Sequence, residues 1–474
     1  MDLHALCKEI SLMETPSKEE ETRILRLADE VRNRVEHALE TEGIESVVSI
    51  EGSRAKGTWL RGDPEIDIFI RLHPSYPREE FGRTIIQVVK DSTKEFESLE
   101  RYAEHPYLEL YADDIRLNVV PCYKVEKGEW ISATDRTPYH TEYVKGHLTP
   151  ELRSDVRLLK RFMRGINAYG AEIKVGGFSG YLCELLIIHY GSFIETLSAA
   201  SKWGKVEFID LENYYKNVED AVKIFGDPLI VIDPVDETRN VASSVRIDKK
   251  SLFTVAARAF LKNPRREFFY PEKVTPLNIS SLKLNLLRRE STMIFIKFSK
   301  PKVIPDVLWG QLYKAKKALS KIFDRYNFNL LRSTVWSDEK RDHILLFEVE
   351  NGTLPSIKRH LGPPIFKVED SKKFLTKYLN SEATFSGPEI YRDRWVVYIK
   401  REYTDVVNLL RDKLMDGGRS IGGPEEIAEA IKESGELLTN MEISRFYTSN
   451  PRFAEFLTNF LIGRPRWLDS TLKL

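Results

Sequence analysis

Apolar and polar positions follow two rhythms along this chain, and each predicts its own elements. Across 5–42 the residues Ile24, Leu25, Leu27, Ala28 and Val31 recur at helical spacing, and Ser17 with Glu20 three positions on forms a capping box. VVSIEGS (47–53) predicts a strand that ends in a glycine turn, and SRAKGTWL (53–60) a short helix or turn. EIDIFIRL (65–72) starts as alternating acid and apolar residues and becomes wholly apolar, the pattern of a strand in a buried sheet. A helix over 77–96 and strands near 107–112 and 115–123 complete a small mixed α/β unit.

Residues 150–200 predict helices, of which GFSGYLCELLIIHYGSFIETL is richly apolar and suited to a domain core. LIVIDPVDETRNVASSV (229–245) predicts a strand, a proline turn and a helix start. From 291 the order becomes β-α-β-β: strand 292–298, amphipathic helix 307–326, strands 330–337 and 343–349, with a further strand over 394–403. That order resembles a ferredoxin-like or RNA-recognition-type fold, a shape that does not settle function. The stretch 404–474 predicts a helical tail with a flexible turn at GGRSIGGP (417–424). The fold class is therefore α+β and multidomain.

Composition narrows the class. The chain has 474 residues, 42% hydrophobic and 30% charged, enough for several packed cores under a wet surface. No stretch approaches the ~18 apolar residues of a membrane span, and the N-terminus lacks a signal-peptide core. Cys7, Cys122 and Cys183 are too few and odd in number for a disulfide framework or a zinc cluster. These features predict a soluble cytoplasmic protein without a membrane partner. Lys plus Arg and Asp plus Glu balance at 72 each, but 255–322 carries 15 basic against 4 acidic residues. Phe268, Phe269, Tyr270, Phe295, Phe298, Trp309 and Tyr313 are interleaved with that run, which suits either a polyanion surface or a solvated helix face.

The candidate chemistry lies near the N-terminus. Residues two apart on a strand share a face, so Glu65 and Asp67 present two carboxylates ~6.6 Å apart along the chain. Two like charges there repel, and a divalent cation with oxygen ligands, such as Mg²⁺, relieves the repulsion. Upstream, Gly52 permits close backbone approach and Ser53 opens a short helix whose free N–H groups suit phosphate. A phosphate cradle facing a metal-binding strand is an arrangement found in nucleotidyltransferases.

Longer blocks extend this reading. GSRAKGTWLRGDPEIDIF, YAEHPY (102–107), VVPCYK (119–124), DRTPYH (135–140), VRLLK (156–160), YGAE (169–172), GFSGYLCELL (177–186) and DPVDETRNVA (233–242) together resemble the archaeal-type class I CCA-adding enzymes, strongly over 1–250, continuing through the β-α-β-β region to about 400, with the tail weaker. The resemblance implies a polymerase-beta-like nucleotidyltransferase palm (1–147), a helical central domain completing the nucleotide pocket (148–260), a ferredoxin-like tRNA-binding body (261–403) and the helical tail (404–474). It implies addition of C, C and A to the tRNA 3′ end from CTP and ATP with Mg²⁺, in a cytoplasmic homodimer.

By the same resemblance Gly52, Ser53 and Lys56 hold the triphosphate with His140, Lys160 and Tyr169. Arg239 meets the edges of C and A, and His105 and Thr137 line the pocket. Taken singly, either histidine is more often structural, Tyr169 more often packing, and Arg239 a partner for Asp236 or Glu237. Glu65 and Asp67 match the family's metal-binding acids, but the third acid of the pattern is Asn118 here. Asparagine is nearly isosteric with aspartate and its carbonyl can touch a metal weakly, yet it adds no negative charge and takes no proton. Asp114 is four residues away, ~13 Å along the strand, too far to replace it. The expectation is that Glu65 and Asp67 keep the nucleotide-side metal while activation of the attacking hydroxyl is impaired, by ~10²–10⁴-fold for a lost proton acceptor. The alternatives are another polymerase-fold transferase, such as a poly(A) polymerase, and a tRNA-binding protein with a disabled site.

Overall fold

The structure, a computed structural model, describes residues 2–63, 65–102, 105–303 and 305–468. Ala103 and Glu104 of the YAEHPY block and residues 469–474 of the expected tail lie outside the described residues. The chain divides into two compact units, Met1–Lys273 with Arg464–Leu474, and Val274–Gly463.

The first unit opens with α1 (Leu3–Glu14) and α2 (Lys18–Thr41), two helices rather than one, because the chain turns at Thr15–Ser17 and Ser17 caps α2. The strands β1 (Ser46–Glu51), β2 (Glu65–Leu72), β3 (Glu97–Tyr102), β4 (Pro106–Ala112) and β5 (Ile115–Tyr123) form one sheet in the order β1-β2-β5-β4-β3. Only β2 and β5 run parallel, with Asp67 opposite Asn118. Short α3 (Gly52–Lys56) leaves the end of β1, and α4 (Ile86–Ser92) follows a wide helical turn at Phe81–Ile85. The helix expected over 77–96 is thus shorter. The expected single strand before β5 is a hairpin whose edge, β3, is almost wholly exposed and so lacks an apolar signature. Ile66, Ile68, Ile70 and Leu72 point into a core shared with Ile24, Ala28, Val31 and Val35 of α2, which turns Glu65 and Asp67 to the opposite face.

The remainder of this unit is helical: α5 (Thr137–His147), α6 (Pro150–Gly165), α7 (Gly180–Tyr190), α8 (Phe193–Ala200), α9 (Val218–Phe225) and α10 (Ile247–Lys262). A small sheet, β6 (Glu207–Asp210), β7 (Leu229–Asp233) and β8 (Asp236–Asn240), is interleaved in the order β6-β7-β8. The helix start expected near 240 is strand β8. Phe162, Phe178, Phe193, Phe253, Phe260, Phe268 and Phe269 fill the core. Among the described residues no single helix is long and apolar enough to cross a membrane.

In the second unit α11 (Ile279–Arg289) precedes β9 (Thr292–Ser299), α12 (Pro305–Tyr326), β10 (Leu330–Ser337) and β11 (Asp342–Val349). The next segment, β12 (Ile357–Pro364), α13 (Val368–Tyr378), β13 (Thr384–Tyr391) and β14 (Arg394–Lys400), forms its own sheet in the order β12-β14-β13. Then come α14 (Val406–Lys413), α15 (Glu425–Ser434), β15 (Glu436–Thr439), α16 (Ser444–Ser449) and α17 (Pro451–Ile462). β15 pairs with β9, giving the order β10-β11-β9-β15 and a ferredoxin-like β-α-β-β-α-β unit with 357–400 inserted. The expected tail is therefore not separate. Leu437 and Leu438 of ELLT supply the last strand's contacts to Ile296 and Phe295, and Trp467 stacks on Phe268 in the first unit.

Both faces of this sheet are covered. Ile294, Ile296, Leu345 and Phe347 pack under α12 and α15, and Met293, Phe295, Ile344 and Leu346 under α11 and α17. Phe268, Phe269, Phe295 and Phe298 are core residues, so most aromatics of the basic run are packing rather than a stacking platform for bases.

Candidate active site

The carboxylates gather as the strand spacing predicts. Asn118 Nδ2 donates to Glu65 Oε1 at 2.8 Å and to Asp67 Oδ1 at 2.9 Å, so both acids converge on one point. Arg116 Nη2 also meets Glu65 Oε1, at 2.5 Å. Gly52 closes the other side. Its φ is +68°, and a Cβ there would lie 2.1 Å from Asp67 Oδ2, so only glycine fits without displacing the carboxylate. Burial and then the like charge of Glu65 push the Asp67 carboxyl up to about 6, against the Asn118 hydrogen bond and the charges of Lys56 and Arg116. Asn118 Oδ1 is buried with no hydrogen-bond partner. Turning that amide over would place a third oxygen where Nδ2 now sits, beside the two carboxylates. The donor set fits a divalent cation held by oxygen, with two charged ligands and one neutral. Among the described residues no group of three His, Cys, Asp or Glu side chains could hold a metal ion, since the third position here is the amide.

A second cluster forms around Glu184, which the sequence reading did not single out. Lys56 Nζ meets Glu184 Oε2 at 2.8 Å, Lys160 Nζ meets Oε1 at 3.1 Å, and Thr58 Oγ1 donates to Oε1 at 2.5 Å. Lys160 Nζ also reaches Thr58 O and Oγ1, both at 3.1 Å, so its three hydrogens are all engaged. Lys160 is 2% and Glu184 1% exposed, so both charges are buried and paired with each other. Burial would raise the Glu184 carboxyl, but the charges of Lys160 and Lys56 outweigh it and bring it down to about 2. A Cβ on Gly180 would meet the Tyr169 hydroxyl at 3.1 Å and Lys160 Nζ at 3.4 Å, so Tyr169, Lys160 and the start of α7 lie together. Ser53 is half-buried on α3, three residues before Lys56.

The third cluster surrounds Asp233, which opens the DPVDETRNVA block but is not among the residues singled out from the sequence. Arg239 Nη1 donates to Asp233 Oδ2 at 2.6 Å and His140 Nε2 to the same oxygen at 2.9 Å. Tyr181 Oη and the Val235 amide each donate to Oδ1 at 3.1 Å. Burial alone would raise this carboxyl, but His140 and Arg239 outweigh it and bring it down to about 2. Burial pushes His140 below its ordinary value, so at neutral pH the uncharged ring donates through Nε2. Arg239 therefore pairs with Asp233 rather than Asp236, which instead binds Arg136 at 2.7 Å. The Tyr181 ring joins the second and third clusters, stacked on His140 at 4.1 Å and 5.0 Å from Lys56 Nζ.

His105 is buried, edge-on to Phe81, with Nε2 2.9 Å from Thr134 Oγ1. It braces the turn that leads into α5, which Thr137 starts one turn before His140.

Signals for the missed acids were present. Glu184 is a lone charge inside the apolar run GYLCELLIIHY, and a buried charge needs a partner. Asp233 ends the buried run LIVI before a proline turn.

Comparison with known proteins places three families along the chain. Residues 29–140 match the nucleotidyltransferase domain, 154–270 the second domain of tRNA nucleotidyltransferase, and 289–440 the C-terminal domain of the CCA-adding enzyme. The chain is 36% identical over 449 residues to the CCA-adding enzyme of Methanosarcina acetivorans, covering 94% of this chain and 96% of that one. It is 38% identical over 412 residues to that of Pyrobaculum aerophilum, covering 86% and 92%. With a carboxylate pair, a lysine cluster and an anchored arginine in one unit, and these relatives along nearly the whole length, the chain belongs to the CCA-adding enzymes, the tRNA nucleotidyltransferases.

Proposed function

We propose that the chain adds C, C and A to the tRNA 3′ end from CTP and ATP, by in-line attack of the terminal hydroxyl on the α-phosphorus with loss of pyrophosphate. The observation that carries this is the convergence of Glu65 and Asp67 on one point, while Lys56 lies close enough to draw the Asp67 carboxyl down. Glu65 and Asp67 hold divalent cations, Mg²⁺ in the cell, with Asn118 Oδ1 as a weak third ligand once its amide turns over. Bound there, such ions neutralise the charge on the leaving pyrophosphate and lower the pKa of the attacking hydroxyl.

Each protein group then has a defined task. Gly52 keeps space beside Asp67, and Ser53 faces the phosphates from α3. Lys56 and Lys160 give the triphosphate positive charge once they exchange protein acceptors for phosphate oxygens, and Tyr169 adds a hydroxyl. Arg239 donates to the base edge with no nucleic-acid template. His140 and Thr137 lie on α5 beside that pocket, and His105 supports it from behind. Asn118 accepts no proton, so removal of the 3′-hydroxyl proton is the slow step. In the second unit, Lys314, Lys317 and Lys321 form an exposed stripe along α12, suited to the phosphates of an RNA duplex read by shape. The working form is a cytoplasmic homodimer without a membrane partner.

Turnover with ATP and CTP in the order C, C, A distinguishes this enzyme from a polymerase that uses ATP alone. The amide at position 118, where the family pattern has a third acid, favours one other reading, a tRNA-binding protein with a disabled centre. The test compares the wild type with Asn118→Asp on tRNA lacking its CCA end. Slow ordered addition that Asp accelerates supports the enzyme. Tight tRNA binding with no addition by either protein, under Mg²⁺ or Mn²⁺, replaces it with the binding protein.

A further inference from the structure

Arg239 is held in an unusual way for a group that must discriminate between bases. Its Nη1 is pinned to Asp233, which is 0% exposed, while the arginine side chain itself is 37% exposed. Among the described residues Nε and Nη2 have no recorded partner. Asp233 is in turn saturated. Its two oxygens accept from Val235 N, Tyr181 Oη, His140 Nε2 and Arg239 Nη1, four donors from the β7–β8 hairpin, α7 and α5. The carboxylate cannot swing without breaking bonds to three elements, so the guanidinium has one fixed end and one open end.

The chemistry of that open end is selective. Guanidinium is donor-only and keeps its charge. Cytosine and adenine each offer an unprotonated ring nitrogen beside an exocyclic amine, whereas uracil and guanine carry N–H at that ring position. A fixed donor aimed there accepts the first pair and opposes the second. A loose arginine would lose this property, because a nearby triphosphate is the strongest anion within its reach and Arg binds phosphate bidentately.

We propose that Asp233 is the specificity-positioning residue of this enzyme: by pinning one end of Arg239 and withholding it from the triphosphate, it makes the arginine read the base. Tyr181 contributes through its hydroxyl, while its ring stacks on His140 and lies 5.0 Å from Lys56 Nζ. This rests on the reading that Arg239 faces the incoming base.

The test is equilibrium binding of CTP, ATP, UTP and GTP, and of inorganic tripolyphosphate, to the full-length protein in complex with tRNA lacking its CCA end, with no need for turnover. Asp233→Asn keeps the shape but replaces one acceptor oxygen with a donor. It is expected to cut the preference for CTP over UTP, and for ATP over GTP, by about tenfold or more, while tripolyphosphate affinity holds or rises as the released guanidinium reaches the phosphates. Tyr181→Phe, which removes one of the four donors and keeps the ring, should move the preference in the same direction by less. A proportional loss of all five ligands makes Asp233 merely structural and overturns the proposal. If Asp233→Asn does not fold, Tyr181→Phe decides, and unchanged discrimination there overturns it as well. Arg239→Ala separates the two levels. If it leaves discrimination intact, the base-reading role of Arg239 fails; if it abolishes discrimination while Asp233→Asn and Tyr181→Phe do not, the role of Asp233 alone fails.

Discussion

Replacing Asn118 with Asp should make the metal-free protein less stable and the metal-bound protein more active. The substitution removes both hydrogen bonds from Nδ2 to Glu65 and Asp67 and places a third carboxylate against them. A hydrogen bond to a charged group contributes ~1.5–3 kcal/mol, and the added repulsion is relieved in part because Asp67 already takes a proton near pH 6. The net cost is about 3–6 kcal/mol without metal. At ~2 °C per kcal/mol for a unit of this size, the first unfolding transition should fall by ~6–12 °C. Divalent cation reverses the order, since three carboxylates bind it more tightly than two and binding at 100-fold above Kd stabilises by ~2.7 kcal/mol. The assay is thermal unfolding of both proteins in chelator and across a Mn²⁺ titration, with nucleotide addition followed in parallel. Addition should rise by ~10²–10⁴-fold. If the variant unfolds at the wild-type temperature in chelator, and Mn²⁺ raises both proteins equally, position 118 does not couple the two carboxylates and the reasoning is refuted.

Glu184→Gln leaves two ammonium groups buried beside a neutral amide and should destabilise the fold by ~3–5 kcal/mol, read as a fall in denaturant midpoint. Since the Glu184 carboxyl sits at about 2, its contribution is present above the ordinary glutamate value and is lost as pH falls through about 2. Asp67 behaves oppositely. Its folded value of about 6 lies above the unfolded one, so its contribution to stability is full below ~4 and is lost as pH rises through about 6. Metal binding needs the ionised form, so Mn²⁺ affinity should weaken as pH drops below about 6, and a pH-independent titration between 5 and 7 would contradict this assignment. Gly52→Ala forces Asp67 aside and should abolish nucleotide addition while tRNA affinity, measured by gel shift, stays near wild type.

What was legible in the sequence depended on whether a local pattern or a distant contact defined the feature. Strand β2 was readable because Glu65 and Asp67 alternate with isoleucines, and Asn118 because the VVPCYK block follows it on the neighbouring parallel strand. Edge strand β3 was not, since nearly all of its side chains are exposed and none marks an inward face. The ferredoxin-like order is visible in the sequence through β11, but the insertion at 357–400 separates β11 from the fourth strand, the four residues ELLT. Asp233, Glu184 and Tyr181 carry no local signature of the bonds from His140 to Asp233, from Tyr181 to Asp233, and from Lys56 and Thr58 to Glu184, which span 52 to 128 positions. Lys160 was placed in the right neighbourhood, yet its full engagement by Thr58 and Glu184 could only be seen in three dimensions.

The most direct test of the account is incorporation of labelled CTP and ATP into tRNA lacking its CCA end. The account predicts two C residues and then one A, slowly with Asn118 and much faster with Asp. Binding of that tRNA without a single nucleotide added by either protein, with Mg²⁺ or with Mn²⁺, would contradict it.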